Sequence, residues 1–168
     1  MRVIGIDPGK TGHICEIDSI SGIVRNMPLP FRADDVVDYN AIARNFDLAN
    51  ADLRILEKVS AQPKWSACSA MTFGKIVGQI EMILSRHSFV EIASRTWQKS
   101  MHVGLTDSMK PKEKSAAAFY RLNANFKAGK KKPSHDYIDA FLIAAHGIKT
   151  LGGNIQREWA FENLDARA

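Results

Sequence analysis

The sequence predicts an α/β fold built on a mixed five-stranded sheet, three antiparallel strands followed by two parallel ones, with helices on its faces. Three observations carry that expectation. Three short β-rich runs near the N-terminus are joined by tight turns, strand and helix patterns then alternate, and no apolar run reaches the roughly 20 residues of a membrane span.

Val3-Ile4-Gly5-Ile6-Asp7 is β-rich and stops at Pro8-Gly9. His13 to Asp18 alternates apolar and polar residues before the turn Ser19-Ile20-Ser21-Gly22, and Ile23 to Met27 makes a third strand, so the three read as an antiparallel meander. After a loop holding Pro28 and Pro30, Asp34 is the expected cap of a helix through Val36, Val37, Ile42 and Ala43, ending near Ala49. Leu53 to Glu57 is a short apolar strand. Residues 66–87 hold the longest helical pattern, with Met71, Ile76, Val77, Ile80, Ile83 and Leu84; Gly74 and Gly78 weaken its propensity and are candidates for close packing.

Phe89 to Ala93 is a fifth strand, and Ser94 or Thr96 starts a short helix through Ser100. A loop from Gly104 to Pro111 leads into a helix over Lys112 to Asn123. The lysine-rich linker from Gly129 to Pro133 precedes a final apolar helix, about 135–148, with Ser134 as its cap. Alternation of strand and helix in this half argues for crossover connections and parallel pairing. The expected division is one domain over 1–150 and, over 151–168, a C-terminal tail or a short peripheral helix through Trp159 and Phe161.

At 168 residues and 45% apolar content, the chain can bury a substantial core as one domain. It opens on a strand pattern instead of a signal peptide, and we expect a soluble protein of the cytoplasm. Cys15 and Cys68 lack metal-ligand spacing and are read as reduced thiols. The net charge of +5 is unevenly spread: residues 1–60 hold 7 Lys/Arg against 9 Asp/Glu, residues 61–135 hold 13 against 4, and residues 136–168 hold 3 against 5. A basic middle between acidic ends suits a protein that grips a polyanion beside a carboxylate cluster.

Hydrolysis of a phosphodiester by metal ions needs several carboxylates on rigid supports, because Mg²⁺ takes hard oxygen ligands and two such ions must sit close together. Asp7 ends the first strand, Glu57 ends the fourth, and Asp136 and Asp139 lie three apart on one face of the last helix. Each acid alone has a plainer role: Asp7 shapes a turn, Glu57 is a solvated strand end, and Asp136 suits the helix dipole. Asp139 fits such a role least, since it interrupts the apolar run from Tyr137 to Ala145, where an unpaired charge is costly. Together, four acids whose repulsion needs a cation to offset it point to a metal site.

The turn Gly5-Ile6-Asp7-Pro8-Gly9-Lys10-Thr11 ends in Gly-Lys-Thr, but three residues separate its glycines where a phosphate-binding P-loop has four, and the proline removes an amide. A P-loop NTPase is therefore rejected. Actin-like sugar kinases share a strand-Asp-Gly-Thr turn, yet they are usually much longer, two-lobed chains.

Gly5-Ile6-Asp7-Pro8-Gly9, then Glu57 after an apolar strand, then Asp136-x-x-Asp139-Ala140 opening an apolar helix resemble the three motifs of the RuvC family of Holliday junction resolvases, of the RNase H-like superfamily. The match runs over about residues 1–148. The resemblance implies a homodimeric endonuclease, dependent on Mg²⁺ or Mn²⁺ with two ions per site, that nicks a four-way DNA junction symmetrically. Asp7, Glu57, Asp136 and Asp139 would be its ligands. It also implies a bacteriophage origin, where short members of the family occur. Family members often carry an aromatic residue three positions after the Glu; Ser60 stands there here, and Trp65 or Phe73 is the candidate replacement, with core or dimer-interface roles as the alternative.

DNA contact is expected from Lys110, Lys112, Lys114, Lys130, Lys131 and Lys132, extended by Lys64, Lys75, Arg95 and Lys99. Apolar residues of the 66–87 helix are the candidate dimer interface. Of the five histidines, His135 is the one the chain places beside the acids, as an outer group of the site or a surface residue. Two other functions stay open: an RNase H-like nuclease for flaps or RNA–DNA hybrids, and a non-catalytic module that binds branched DNA.

Overall fold

The computed structural model describes residues 1–60, 62–124, 126, 132–155 and 159–164. In chain order the elements are β1 (Arg2–Asp7), β2 (His13–Asp18), β3 (Ile23–Pro28), α1 (Tyr39–Asn45), β4 (Leu53–Lys58), α2 (Ala67–Leu84), β5 (Val90–Ala93), α3 (Ser94–Met101), α4 (Pro111–Leu122), α5 (His135–Thr150) and β6 (Ala160–Asn163). One mixed sheet runs β5-β4-β1-β2-β3-β6. The meander β1-β2-β3 is antiparallel, while β4 pairs parallel to β1 and β5 parallel to β4, as the sequence predicts.

Two expectations are corrected at the level of elements. The sheet has six strands, because Ala160–Asn163 pairs parallel to β3 where a tail or peripheral helix was expected. Phe161 is drawn in by a ring cluster with Phe119, Phe126 and Phe141, and that aromatic contact, not local propensity, selects the strand. The first helix starts at Tyr39, not after Asp34: Asp38 caps it by accepting from the Ala41 N–H. Asp34 instead pairs with Arg32 in a turn where Asp35 takes a left-handed φ of 58°.

The central strands are apolar on both sides and alternate between two cores. Ile4, Ile6, Ile14, Met27 and Leu56 face α1 and α2, meeting Ile42, Ile76, Ile80 and Leu84. Val3, Cys15, Ile17, Val24 and Ile55 face α5 and the helices α3 and α4 that flank it. Cys15 is buried, Cys68 exposed, and both are free thiols. Among the described residues no helix is long and apolar enough to cross a membrane.

α5 lies unusually close to the sheet. A Cβ placed on Gly5 would stand 2.5 Å from the Ala144 nitrogen and 2.7 Å from the Ala140 oxygen, so only glycine admits the helix backbone there. Gly147 does the same from the helix side, against Val3 and Ile55. Gly74 and Gly78 on α2 behave differently: a Cβ on either meets nothing within 4 Å, so the expected close packing is absent among the described residues.

These contacts define a test. Gly5→Ala should destabilise the chain by on the order of 3 kcal/mol in a urea unfolding titration, because backbone cannot yield as a side-chain tip does. Gly74→Ala, in the open middle of a helix, should stabilise it by roughly 0.5–1 kcal/mol.

Candidate metal centre

Strand alternation decides where the acids point. In β1, Val3 and Gly5 face α5, so Asp7 follows on the same side two residues on; in β4, Ile55 faces α5 and Glu57 follows it. The parallel register pairs Ile6 with Leu56, which brings Asp7 and Glu57 side by side at the strand ends. The N-terminal turn of α5 completes the group. Ser134 caps that helix by accepting from the Tyr137 N–H, and Asp136 and Asp139 sit in its first turns.

The four carboxylates act on one another. Burial, then the charges of Glu57, Asp139 and Asp136, push the Asp7 carboxyl up to about 9, and a hydrogen bond with Glu57 favours its protonated form. Burial also lifts Asp139 to about 6, with Glu57 and Asp136 adding to the rise and the Ser115 hydroxyl and Lys112 opposing it. Asp139 Oδ1 is buried without a hydrogen-bond partner. Among the described residues no three Asp, Glu, His or Cys side chains already stand around one point as a finished ligand set. The donors nevertheless fit a hard divalent ion: every group is a carboxylate, and among the described residues the cluster is short of positive charge and one buried oxygen lacks a partner.

Three neighbours of this cluster were not legible beforehand. Trp97 of α3, 1% exposed, donates its indole N–H to Glu57 Oε1 at 2.8 Å. Ser115 of α4, also buried, favours the charged form of Asp139, and its Oγ lies 3.4 Å from His102 Nε2. His13 pairs with Asp7 across β1 and β2, its ring edge-on to Tyr137 at 6.0 Å. Burial lowers the pKa of His13, with the Thr11 carbonyl and the Asp136 charge opposing that shift. His135 is exposed at the helix start, the surface placement allowed for it, and His13, not singled out from the sequence, is set beside Asp7. The equal spacing of Asp7 and His13 about a five-residue turn was the available signal.

The basic residues divide. Lys110 and Lys112 are exposed at the start of α4, and the charge of Lys112 reaches Asp139. Lys114 is tied to Asp107 at 3.2 Å. Lys132 is exposed just before the α5 cap, while Lys130 and Lys131 lie outside the described residues. A groove of about 430 Å³ between α3 and α4 gathers Arg95, Lys99, His102 and Lys114. Ser60 is exposed; Trp65 and Phe73 form a half-buried ring pair 5.2 Å apart, beside a cavity of about 460 Å³ that Lys10 also lines.

The linkage sign for Asp7 is unusual for an acid. Its folded pKa lies above the unfolded value, so the folded chain binds more protons than the unfolded one between about 4 and 9, and the cluster loses stability as pH rises through that window. Asp7→Asn should therefore raise the Tm at pH 8 in EDTA, by on the order of 1 kcal/mol in stability. Mg²⁺ should stabilise the parent chain more than the variant, as differential scanning fluorimetry reads directly.

No protein-family model matches the sequence, and no curated protein does either. The fold is similar to that of solved structures. RuvC of Thermus thermophilus in complex with a Holliday junction substrate aligns with a TM-score of 0.58 at 16% identity, over 90% of this chain and 96% of that one. A second structure of Thermus thermophilus RuvC aligns with a TM-score of 0.53 at 18% identity, over 90% and 97%. The chain has the RNase H-like fold in the form found in RuvC.

Proposed function

We propose that the protein is a structure-specific endonuclease that hydrolyses phosphodiesters in branched DNA, four-way junctions foremost. The observation that carries this reading is the convergence of Asp7, Glu57, Asp136 and Asp139 from three elements onto one end of the sheet, at an electrostatic cost that serves no evident purpose in the fold. These four would hold two ions, Mg²⁺ or Mn²⁺. When bound, such ions supply the Lewis-acid charge and the activated water for hydrolysis, leaving a 5′-phosphate as the resemblance implies.

The chain's own residues do the rest. Strand ends and a helix start keep the carboxylates on rigid supports, and Lys112 sets a cation where a DNA phosphate would approach Asp139. The α3–α4 groove continues that basic surface with Arg95 and Lys99. Such contacts hold a backbone in register without reading bases. Symmetric nicking of a junction requires a second copy of the chain. The outer face of α2 favours it: Met71 and Met82 are exposed there, and Gly74 and Gly78 leave room for a facing helix.

Asp7→Asn should abolish cutting of a four-way junction in Mg²⁺ while its junction affinity in EDTA holds or rises, since the metal-free Asp7 carboxyl is already largely protonated and the amide adds no negative charge beside phosphate. Robust cutting by this variant would sink the assignment. A panel of junction, flap and RNA–DNA hybrid substrates separates the remaining readings: preference for the hybrid points to a ribonuclease, and metal-dependent cutting of none to a binding module. Replacing both Lys110 and Lys112 with Ala should weaken binding to every branched substrate alike and flatten the dependence of log Kd on log salt by about one to two units, readable by fluorescence anisotropy.

A further inference from the structure

Behind the four acids stands a layer of neutral donors that no ligand motif contains. Trp97 Nε1 lies 2.8 Å from Glu57 Oε1, with both groups buried. An indole N–H only donates, so this bond ties one carboxylate oxygen and leaves Oε2 for the site. On the other side, the Ser115 hydroxyl acts on the Asp139 carboxylate and favours its charged form, and among the described residues Asp139 Oδ1 stays buried and unpartnered. His102 joins the two. Its ring stands edge-on to Trp97 at 5.8 Å and 81°, and its Nε2 lies 3.4 Å from Ser115 Oγ.

We infer that Trp97 and Ser115 are positioning residues, which orient Glu57 and Asp139 toward divalent ions. The pattern of contacts favours this over simple satisfaction of a buried indole. Trp97 comes from α3 and Ser115 from α4, neither element supplies an acid to the cluster, and the two act on different carboxylates, Trp97 through a direct hydrogen bond to Glu57 and Ser115 by favouring the charged form of Asp139. Both donors are neutral, so they fix geometry without supplying the charge that a cation would provide. Groups of this kind commonly set ligand orientation, and their loss weakens metal binding about 10–100-fold.

The inference rests on the metal-nuclease reading, and the experiment separates the two. Mn²⁺ binding is measured by isothermal titration calorimetry on the metal-stripped full chain without DNA, for the parent, for Trp97→Phe, which keeps the ring and removes the N–H, and for Ser115→Ala. Tm and junction affinity in EDTA are measured alongside. The expected result is Mn²⁺ affinity lowered about 10-fold or more in each variant, unchanged junction affinity in EDTA, and cutting that recovers at saturating Mn²⁺. Mn²⁺ affinities within twofold of a binding parent overturn the positioning role alone. A parent that binds no Mn²⁺ overturns both readings, and if Trp97→Phe fails to fold, Ser115→Ala decides by the same criterion.

Discussion

The close approach of α5 to β1 at Gly5 is the constraint on which the site depends. Helix backbone lies where any other residue would carry a side chain. Two residues further along β1 comes Asp7, and next to the helix contact at Ala140 comes Asp139. A helix held a side chain's width further out would leave the last two acids remote from the first two. Gly147 repeats the arrangement one layer down, against Val3 and Ile55, so the helix is seated along the strand instead of pivoting about one point. The apolar run from Ala140 to Ala145, fully buried, anchors it there.

That seating creates an electrostatic problem. Asp7 is driven far toward its protonated form by burial and by the other three acids, and Asp139 is shifted in the same direction. The fold answers only in part. Glu57 receives an indole N–H, while the Ser115 hydroxyl and the charge of Lys112 favour the charged form of Asp139. None of these neutralises the cluster. A site left with this imbalance is what the proposed chemistry requires, since a divalent ion would be drawn to the charge that the protein leaves uncompensated.

A contrast lies at the other end of the sheet. Glu16, 1% exposed, is a buried acid too, yet Arg25 meets it at 2.8 Å and Arg2 at 3.9 Å. Arg2 also reaches Asp47 at 2.9 Å, and Arg25 reaches Glu162 of β6 at 2.9 Å. There the charges close among themselves and tie the edge strand to the meander. The same sheet thus carries acids in salt bridges at one end and, at the other, acids that form no salt bridge among the described residues.

Local pattern made the meander, the alternating second half and the capped final helix legible, because strand and helix periods and the Ser134 cap depend on neighbours in the chain. The four acids were legible as well, since strand ends and the first turn of an apolar helix are recognisable without coordinates. The start of α1 was not, because Asp34 and Asp38 are both good caps and only the Phe31–Val37 bridge and the Arg32 pair choose between them. β6 was missed because four residues of modest propensity become a strand only when β3 offers an open edge and the Phe119 cluster takes in Phe161. Trp97 and Ser115 belong to the tertiary structure alone, whereas His13 was signalled by its spacing from Asp7 across the turn. Sequence determined which groups carry charge and which segments can hold them rigid, whereas the donor that meets each carboxylate depends on how α3 and α4 pack, a choice made by contacts between residues distant in the chain.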